Sequence, residues 1–179
     1  MPAAALRMRP SMLIRTLETI FPDARLFAPE VYEDHRGQLM EAYDHDIYAA
    51  LGVKETFVQD LVTWSEKHVL RGLHYDMRMA KFVQVLRGRV YDVIVDMRPE
   101  SETYKKWQGF FLSSNNHYQL YIPKGFAHGF MTLTDAVVFH YKMSVHWSLE
   151  HELRLNWRDP SVGIDWRVVG PVIASEKDA

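Results

Sequence analysis

One short segment of the chain brings together two side chains that could perform proton transfer and anion binding. Arg71 and His74 lie in the β-prone run Val69-Leu70-Arg71-Gly72-Leu73-His74-Tyr75, and Lys81 opens the next such run. Imidazole is the side chain that titrates near neutral pH, and a lysine ammonium can stabilise a developing anion. A histidine in an apolar run is more often a hydrogen-bonded core residue, so its chemistry depends on partners supplied elsewhere.

Three later residues are further candidates for such partners. His128 lies in Pro123-Lys124-Gly125-Phe126-Ala127-His128-Gly129-Phe130, Tyr141 lies in a late apolar run, and Asp178 is the penultimate residue. Taken singly, His128 and Tyr141 could be core residues with satisfied polar atoms, and Asp178 could belong to a frayed tail. No one of them identifies a site.

The elements that must position these residues are mostly strands. β-branched and aromatic runs recur between turn signals such as Asp34-His35-Arg36-Gly37 and Ser113-Ser114-Asn115-Asn116, and only Asp44–Leu51, stopped by Gly52, has a helical pattern. Many short strands with few helical turns predict an all-β sandwich or barrel. The predicted strands are Leu26–Tyr32, Leu39–Tyr43, Thr56–Trp64, Val69–Tyr75, Lys81–Arg87, Arg89–Met97, Trp107–Leu112, Tyr118–Ile122, Ala127–Leu133 and Val137–Val145.

Length and composition limit the function classes. The chain has 179 residues, a formal net charge of −2 and no cysteine, which excludes disulfides and thiolate chemistry and fits a reducing cytoplasm. The charge gives no general attraction to nucleic acid or to an anionic membrane, and no apolar run is long enough to span a bilayer. We interpret residues 1–12 as a flexible N-terminal extension and residues 13–179 as a single domain without repeats or linkers.

The run Arg89–Asp96 carries two carboxylates on one face. Alternation places Tyr91 with Val93 and Val95 on one side of the strand, and Asp92 with Ile94 and Asp96 on the other. A strand of this kind is commonly half-exposed, but in a barrel with a wet interior the same face could line a ligand cavity. The pattern leaves both interpretations open.

Collinear motifs from about residue 13 to the end resemble the dTDP-4-dehydrorhamnose 3,5-epimerase family. The resemblance rests on their number and order, because no single motif is decisive. They are Asp34-His35-Arg36-Gly37 with Glu41 and Tyr43, Phe57-Val58-Gln59-Asp60, Leu70-Arg71-Gly72-Leu73-His74-Tyr75, Val90–Arg98, Gln119–Phe130, Trp157-Arg158-Asp159-Pro160, Gly163-Ile164-Asp165-Trp166 and Ser175-Glu176-Lys177-Asp178.

The resemblance implies a cupin-type jelly-roll barrel that works as a homodimer and epimerises a nucleotide-diphosphate 4-keto-6-deoxy sugar without a metal or a redox cofactor. A site of the family's kind would use His74 as the base, held in one tautomer by Asp178. Lys81 would stabilise the enolate at the C4 oxygen, and Tyr141 would return a proton on the other face.

The resemblance also implies a set of substrate-binding residues. His128, with Asp92 as its hydrogen-bond partner, would line the sugar pocket, and Trp147 would border the sugar. Arg71, together with Arg36 from the same or the partner subunit, would meet the diphosphate, since a guanidinium suits bidentate phosphate binding. Glu41 and Gln59 belong to the same matched motifs and complete the set.

Arg71 and His74 pose a geometric problem, because a regular strand would send them to opposite faces. Either a twist or bulge at Gly72 turns one of them, or Arg71 reaches the diphosphate around the mouth of the barrel. Both geometries remain open from the sequence.

The chain departs from the family's common pattern in four places. Asp76 stands where glutamine is common, in a loop of only six residues between His74 and Lys81, and Leu61 stands where asparagine is common. Gln38 and Leu39 replace common aromatic residues, and Trp147 stands where tyrosine is common. These changes leave open the nucleotide (dTDP, GDP or CDP), the sugar, and whether C3, C5 or both carbons are inverted.

Two other function classes compete with the epimerase. A metal-dependent cupin would bring a His-x-His pair, which this sequence lacks. The four departures from the family's common pattern suggest a non-catalytic sugar-nucleotide-binding protein on the same fold. The catalytic set that the resemblance implies is nevertheless complete, which argues for an active enzyme. It consists of His74, Lys81, Tyr141 and Asp178.

Overall fold

The computed structural model of the chain describes residues 13–167 and 170–178, so the predicted N-terminal extension over residues 1–12 lies outside the described residues. Within the described ranges, no helix is both long and apolar enough to cross a membrane. The elements are β1 (Ile14–Leu17), β2 (Arg25–Pro29), β3 (Val31–Asp34), β4 (Gly37–Met40), α1 (His45–Ala50), β5 (Gln59–Ser65), β6 (Leu70–Tyr75), β7 (Lys81–Arg87), β8 (Arg89–Asp96), β9 (Trp107–Ser113), β10 (Gln119–Ile122), β11 (Phe126–Thr132), β12 (Val137–Met143) and β13 (Leu153–Arg154).

Two antiparallel sheets face each other and form the predicted all-β, cupin-type jelly roll. One sheet has the strand order β1-β2-β10-β7-β12-β5, and the other has the order β13-β6-β11-β8-β9. A hydrophobic cluster with members from both sheets fills the space between them and includes Val83, Ile94, Phe130 and Phe139. Burial of this shared apolar face holds the two layers together.

A second and a third cluster cover the outer faces of the sheets. The segment after β13 packs Leu155 and Trp166 against the outer face of the five-stranded sheet. On the outer face of the six-stranded sheet, Tyr48 of α1 packs against Phe27 and Phe82. The space between the two sheets holds both the central core and a cavity that borders on it.

The predicted helix is confirmed, and its boundaries have local causes. The side chain of Asp44 accepts hydrogen bonds from the backbone N–H groups of Asp46 (2.9 Å) and Ile47 (3.1 Å), which caps the first turn. Gly52 has φ +100°, a conformation that glycine adopts without steric cost, and the chain leaves the helix there.

The predicted strand Leu26–Tyr32 is wrong as one element. β2 ends at Pro29, and β3 begins at Val31 as one arm of a hairpin whose tip is His35-Arg36, with Asp34 opposite Gly37. Proline lacks the N–H that would continue a ladder, so the chain can leave the sheet at this point. The hairpin β3–β4 thus forms a separate two-stranded ribbon.

The two carboxylates of β8 are both buried, so a half-exposed strand is the wrong interpretation. Asp96 is held by Arg98, Ser101 and Thr103, and it has a structural role at the end of the strand. Burial is the largest single influence on Asp96 and raises its pKa. The hydrogen bonds from Arg98, Ser101 and Thr103 together outweigh burial and lower the pKa of Asp96 to about 2. Asp92 is equally buried and lies beside the cavity-lining His128.

Candidate active site

A cavity of about 560 Å³ opens between the two sheets, next to the central-core residue Phe130. This volume is in the range of small-molecule sites. Seven of the eleven site residues predicted from the sequence line it: His74, Tyr141, Asp178, Lys81, Arg71, His128 and Trp147. They come from both sheets, from the loop between β12 and β13 and from the C-terminal segment, so the fold brings together residues that are more than 100 positions apart.

An irregularity in β6 lets Arg71 and His74 serve the same cavity. His74 pairs with His128 on β11, whereas Arg71 pairs with Phe130. Gly72 and Leu73 of β6 therefore both lie opposite the single residue Gly129. Gly72 has φ +119°, and a Cβ there would lie 2.6 Å from the Gly129 Cα. The close approach of the strands therefore requires glycine, and the bulge at Gly72 resolves the geometry that the sequence left open.

His74 and Asp178 form a hydrogen-bonded pair. The His74 Nε2 lies 2.6 Å from the Asp178 Oδ1, and the aspartate side chain is only 5% exposed. Burial lowers the pKa of His74 below its ordinary value, although the neighbouring Asp178 carboxylate opposes this effect. The imidazole is thus neutral at pH 7, with Nε2–H donated to Asp178 and Nδ1 left as the basic atom.

Backbone hydrogen bonds hold the C-terminal segment that carries Asp178. The N–H of Leu70 donates to the Ile173 carbonyl at 2.8 Å, and the N–H of Ile173 donates to the His68 carbonyl at 2.8 Å. The Asp178 N–H donates to the Ser175 carbonyl at 2.9 Å, which closes a turn at the end of the segment. The tail is therefore one wall of the cavity within the described residues, rather than a frayed end.

Lys81 projects from β7 into the same cavity. Its side chain is 8% exposed, and Nζ donates to the carbonyl oxygen of His74 at 2.9 Å. Burial lowers the pKa of Lys81 from 10.5 to about 8, while the carboxylates of Asp92, Glu152 and Asp76 act in the opposite direction. The ammonium form is still the major one at pH 7, and it is held in a poorly solvated place where a cation interacts strongly with a developing anion.

Tyr141 faces the cavity from β12, in the sheet opposite β6. Burial raises the pKa of its phenol, and the nearby Arg71 guanidinium partly offsets that rise. The hydroxyl is accordingly protonated throughout the neutral range and can donate a proton. A neutral imidazole and a protonated phenol thus face one cavity from opposing sheets.

His128 and Asp92 form a second pair beneath the cavity. The His128 Nε2 lies 2.9 Å from the Asp92 Oδ2, and Asp92 is completely buried. The other carboxylate oxygen, Oδ1, has no hydrogen-bond partner among the described residues. Asp92 therefore does not line the cavity itself but orients the imidazole that does.

The loop before β13 supplies a residue that the sequence reasoning missed. Glu152 lines the cavity and accepts a hydrogen bond from the indole Nε1 of Trp147 at 2.8 Å. Its Oε1 forms ion pairs with the Nη2 of Arg154 at 3.1 Å and with the Nζ of Lys177 at 3.7 Å. Glu152 stands in a run of charged residues that has no periodic pattern, so no signal in the sequence separated it from its neighbours.

Besides Asp92, three predicted substrate-binding residues are not on the cavity wall. Arg36 is at the exposed tip of the β3–β4 hairpin, where it pairs with Asp34 at 2.6 Å, and Glu41 follows that hairpin. The Gln59 Oε1 accepts the backbone N–H of Trp147 at 2.8 Å, so Gln59 holds the loop rather than facing the cavity. Among residues 13–167 and 170–178, no cluster of three His, Asp or Glu side chains could hold a metal ion.

Comparisons with known proteins identify the family of this chain. The family model for dTDP-4-dehydrorhamnose 3,5-epimerase matches residues 18–179. The dTDP-4-dehydrorhamnose 3,5-epimerase of Methanothermobacter thermautotrophicus is 41% identical over 168 residues, which cover 92% of this chain and 91% of the relative.

Solved structures of similar proteins carry nucleotide ligands. The epimerase of Legionella pneumophila in complex with dTDP-4-keto-L-rhamnose superimposes with a TM-score of 0.90 at 39% identity, covering 93% of this chain and 90% of that one. The Bacillus anthracis epimerase with TDP and pyrophosphate bound gives 0.88 at 42% identity, covering 93% and 97%. The chain belongs to the dTDP-4-dehydrorhamnose 3,5-epimerase family and is an isomerase of the cupin fold.

Proposed function

We propose that this protein epimerises a dTDP-linked 4-keto-6-deoxy sugar through an enolate intermediate. The observation that carries the proposal is the placement of a base and an acid on opposing sheets, with His74 on β6 and Tyr141 on β12 facing one cavity. Inversion of a carbon next to a ketone requires removal of its proton from one face and return of a proton to the other. The family relationship supplies the substrate class.

In the proposed reaction, the Nδ1 of His74 takes the proton from the carbon beside the C4 ketone. The electron pair of the broken C–H bond moves toward the C4 oxygen, and Lys81 stabilises the negative charge there. Asp178 stabilises the imidazolium that forms, because its carboxylate already accepts the Nε2–H. Tyr141 then delivers its phenolic proton to the opposite face of the same carbon.

The remaining cavity residues bind the substrate. Arg71 meets the diphosphate, and its Nε is held by Ser65 Oγ at 3.1 Å, which fixes the guanidinium at the cavity wall. His128, oriented by Asp92, donates to a sugar oxygen. Trp147 borders the sugar end of the nucleotide, with its indole held by Glu152.

The nucleotide and the number of inverted carbons are tested together by one experiment. The purified protein is incubated in D₂O with dTDP-, GDP- and CDP-linked 4-keto-6-deoxyglucose, and each product is analysed by NMR. We expect turnover of the dTDP substrate with deuterium at both C3 and C5. Exchange at one carbon alone would revise the proposal to a mono-epimerase, and binding without any exchange would contradict catalysis.

We further propose that the protein is a homodimer in which the β3–β4 hairpin of one copy completes the cavity of the other. The hairpin exposes Tyr32 and Leu39, and the free edge strand β5 exposes Val62 and Trp64, so apolar surface is present on both proposed partners. Pairing of the two would cover the sheet edge.

The partner role of Arg36 follows from this arrangement and has a direct test. His74→Ala is expected to be inactive and Arg36→Ala nearly inactive at substrate concentrations well below its raised KM, but subunit exchange between them creates dimers with one intact site. About a quarter of the wild-type activity should return on mixing, from the statistics of subunit pairing. No recovery, with dimers verified by light scattering, would contradict the contribution of Arg36 across the interface.

Two further expectations complete the proposal. We propose that residues 13–179 function as one domain, because the three hydrophobic clusters share the strands of the same two sheets. We also propose a cytoplasmic location, which the absence of cysteine from the sequence supports. Cell fractionation with an antibody against the protein tests the location.

A further inference from the structure

A row of hydrogen-bonded polar side chains crosses the outer face of the six-stranded sheet, on the side opposite the cavity. Its members come from helix α1 and from the neighbouring strands β10, β7, β12 and β5. In order, the row consists of Tyr48, Gln119, Gln84, His140 and Asp60. Gln84 is the direct cross-strand neighbour of both Gln119 and His140 in the register of the sheet. The proposed reaction uses none of these side chains.

The hydrogen bonds of the row all run in one direction. The Tyr48 hydroxyl donates to the Gln119 Oε1, and the Gln119 Nε2 donates to the Gln84 Oε1 at 3.2 Å. The Gln84 Nε2 therefore faces the His140 Nδ1, at 3.1 Å, and an amide nitrogen can only donate. Because its Nδ1 accepts this bond, His140 carries its proton on Nε2 and donates it to the Asp60 Oδ2 at 3.2 Å.

The row ends at a carboxylate that binds both chain neighbours of Tyr141. Besides the His140 Nε2–H, Asp60 accepts hydrogen bonds from the Lys142 Nζ at 2.8 Å to each of its oxygens. Successive side chains of a strand alternate between its faces, so His140 and Lys142 lie on the outer face while Tyr141 lines the cavity. Leu61, the residue after Asp60 on β5, is directly opposite Tyr141 in the ladder and also lines the cavity. The Asp60 clamp, which is Asp60 with His140 and Lys142, thus ties β12 to β5 on both sides of the tyrosine.

The phenol of Tyr141 depends on its backbone for its position. Within residues 13–167 and 170–178, no group forms a hydrogen bond with its hydroxyl. Its ring packs at the margin of the central core, with its centroid 6.0 Å from that of the Phe139 ring. A side chain without a polar anchor moves with its strand, so the bonds that hold the two flanking residues of Tyr141 also fix the place of its phenol.

We propose that Asp60 and His140 are positioning residues for Tyr141, which place its phenol for proton return from the opposite face of the sheet. This inference rests on the role of Tyr141 as the acid in the proposed function. Neither positioning residue lines the cavity, so neither touches the substrate. Loss of the clamp should leave proton removal by His74 intact, because β6 belongs to the other sheet, and should slow the return of a proton by Tyr141.

The test compares proton exchange with inversion for the dTDP-linked 4-keto sugar in D₂O. NMR measures the deuterium that enters recovered substrate and the amount of inverted product, and loss of folded protein lowers both in the same proportion. Asp60→Ala removes both arms of the clamp, His140→Ala removes one arm, and Tyr141→Phe gives the exchange-to-inversion ratio of an enzyme without the acid. Asp165→Ala is the matched control, because Asp165 forms an exposed contact with Arg167 at 2.7 Å, on the segment that covers the other sheet. Light scattering verifies that all variants have the oligomeric state of the wild type.

We expect the exchange-to-inversion ratio to rise about 10-fold in Asp60→Ala, toward the ratio of Tyr141→Phe, because a small displacement of a catalytic group removes much of its effect. His140→Ala should give a smaller rise, and Asp165→Ala should keep the wild-type ratio. A parallel loss of exchange and inversion in Asp60→Ala, or a ratio no higher than that of the control, would overturn the inference. If Asp60→Ala does not fold or assemble, Lys142→Met decides the question, since an unchanged ratio in that variant overturns the inference alone.

A second readout reports the position of Tyr141 without turnover. Tetranitromethane nitrates accessible tyrosine side chains, and mass spectrometry of the peptides gives the rate of nitration at Tyr141. Faster nitration in Asp60→Ala than in Asp165→Ala, with a wild-type exchange-to-inversion ratio in Tyr141→Phe, would support the clamp and contradict the role of Tyr141 as the acid. A raised ratio in Tyr141→Phe, with wild-type ratio and nitration in Asp60→Ala, would support that role and overturn the clamp.

Discussion

The contact between His74 and Asp178 makes a quantitative prediction for the variant Asp178→Asn. The carboxylate accepts the Nε2–H of His74 at 2.6 Å and lies almost wholly out of solvent. An asparagine of the same shape can instead donate its amide N–H to Nε2. That reversal places the imidazole proton on Nδ1, the atom that must accept the substrate proton.

The magnitude follows from the lost interaction. A hydrogen bond between an ionised and a neutral group contributes about 1.5 to 3 kcal/mol, which corresponds to roughly 10- to 150-fold in rate if it is lost in the transition state. The Asp178 carboxylate also raises the pKa of His74 against the effect of burial, so its removal weakens the base further. We therefore expect kcat to fall about 100-fold or more.

Turnover of the dTDP-linked 4-keto sugar measures the effect, with initial rates and thermal unfolding recorded on the same preparations. Glu176→Gln is the matched control, since Glu176 is an exposed acid of the same C-terminal segment. The control should keep the wild-type kcat, and both variants should unfold near the wild-type temperature. An Asp178→Asn enzyme with more than half of the wild-type kcat would refute the pairing argument.

Three further predictions concern pH, stability and binding. The kcat/KM profile should be bell-shaped, because burial lowers the pKa of His74 below 6.5 and that of Lys81 to about 8, and activity needs a neutral imidazole and a charged lysine; a plateau through pH 9 would contradict this. Lys81→Met should abolish turnover yet raise the free energy of unfolding at pH 7 by about 2 to 3 kcal/mol, because the pKa of Lys81 falls from 10.5 to about 8 on folding and the charged form is therefore disfavoured in the folded protein. Urea titration should show that this gain in stability decreases as the pH rises from 8 toward 10.5. Arg71→Ala should raise KM roughly 10- to 100-fold with little change in kcat, through loss of charge-assisted bonds to the diphosphate, and an unchanged KM would exclude that contact.

The elements with strong local signals were predictable from the sequence. Lys81–Arg87 is found as the strand predicted, because its apolar run is long and bounded by the turn at Gly88. The helix capped by Asp44 and the hairpin turn at His35-Arg36 are also where their turn and cap residues place them. Each of these features depends on residues that are neighbours in the chain.

Features that depend on distant partners were not predictable in this way. β1 and the two-residue β13 exist because they pair with β2 and β6, and neither has a run long enough to identify it as a strand. The bulge at Gly72 was one of two geometries open from the sequence, and contact with Gly129 decides it. Glu152 enters the site only because its loop folds back over the cavity.

The central claim is that a base and an acid act on one carbon from opposing sheets, and deuterium exchange in His74→Ala and Tyr141→Phe tests it most directly. Each variant is incubated with the dTDP-linked 4-keto sugar in D₂O, and NMR records exchange and configuration at C3 and C5. We predict that His74→Ala shows no exchange, whereas Tyr141→Phe exchanges protons but returns the original configuration. Exchange at the wild-type rate in His74→Ala, or full inversion in Tyr141→Phe, would contradict the account.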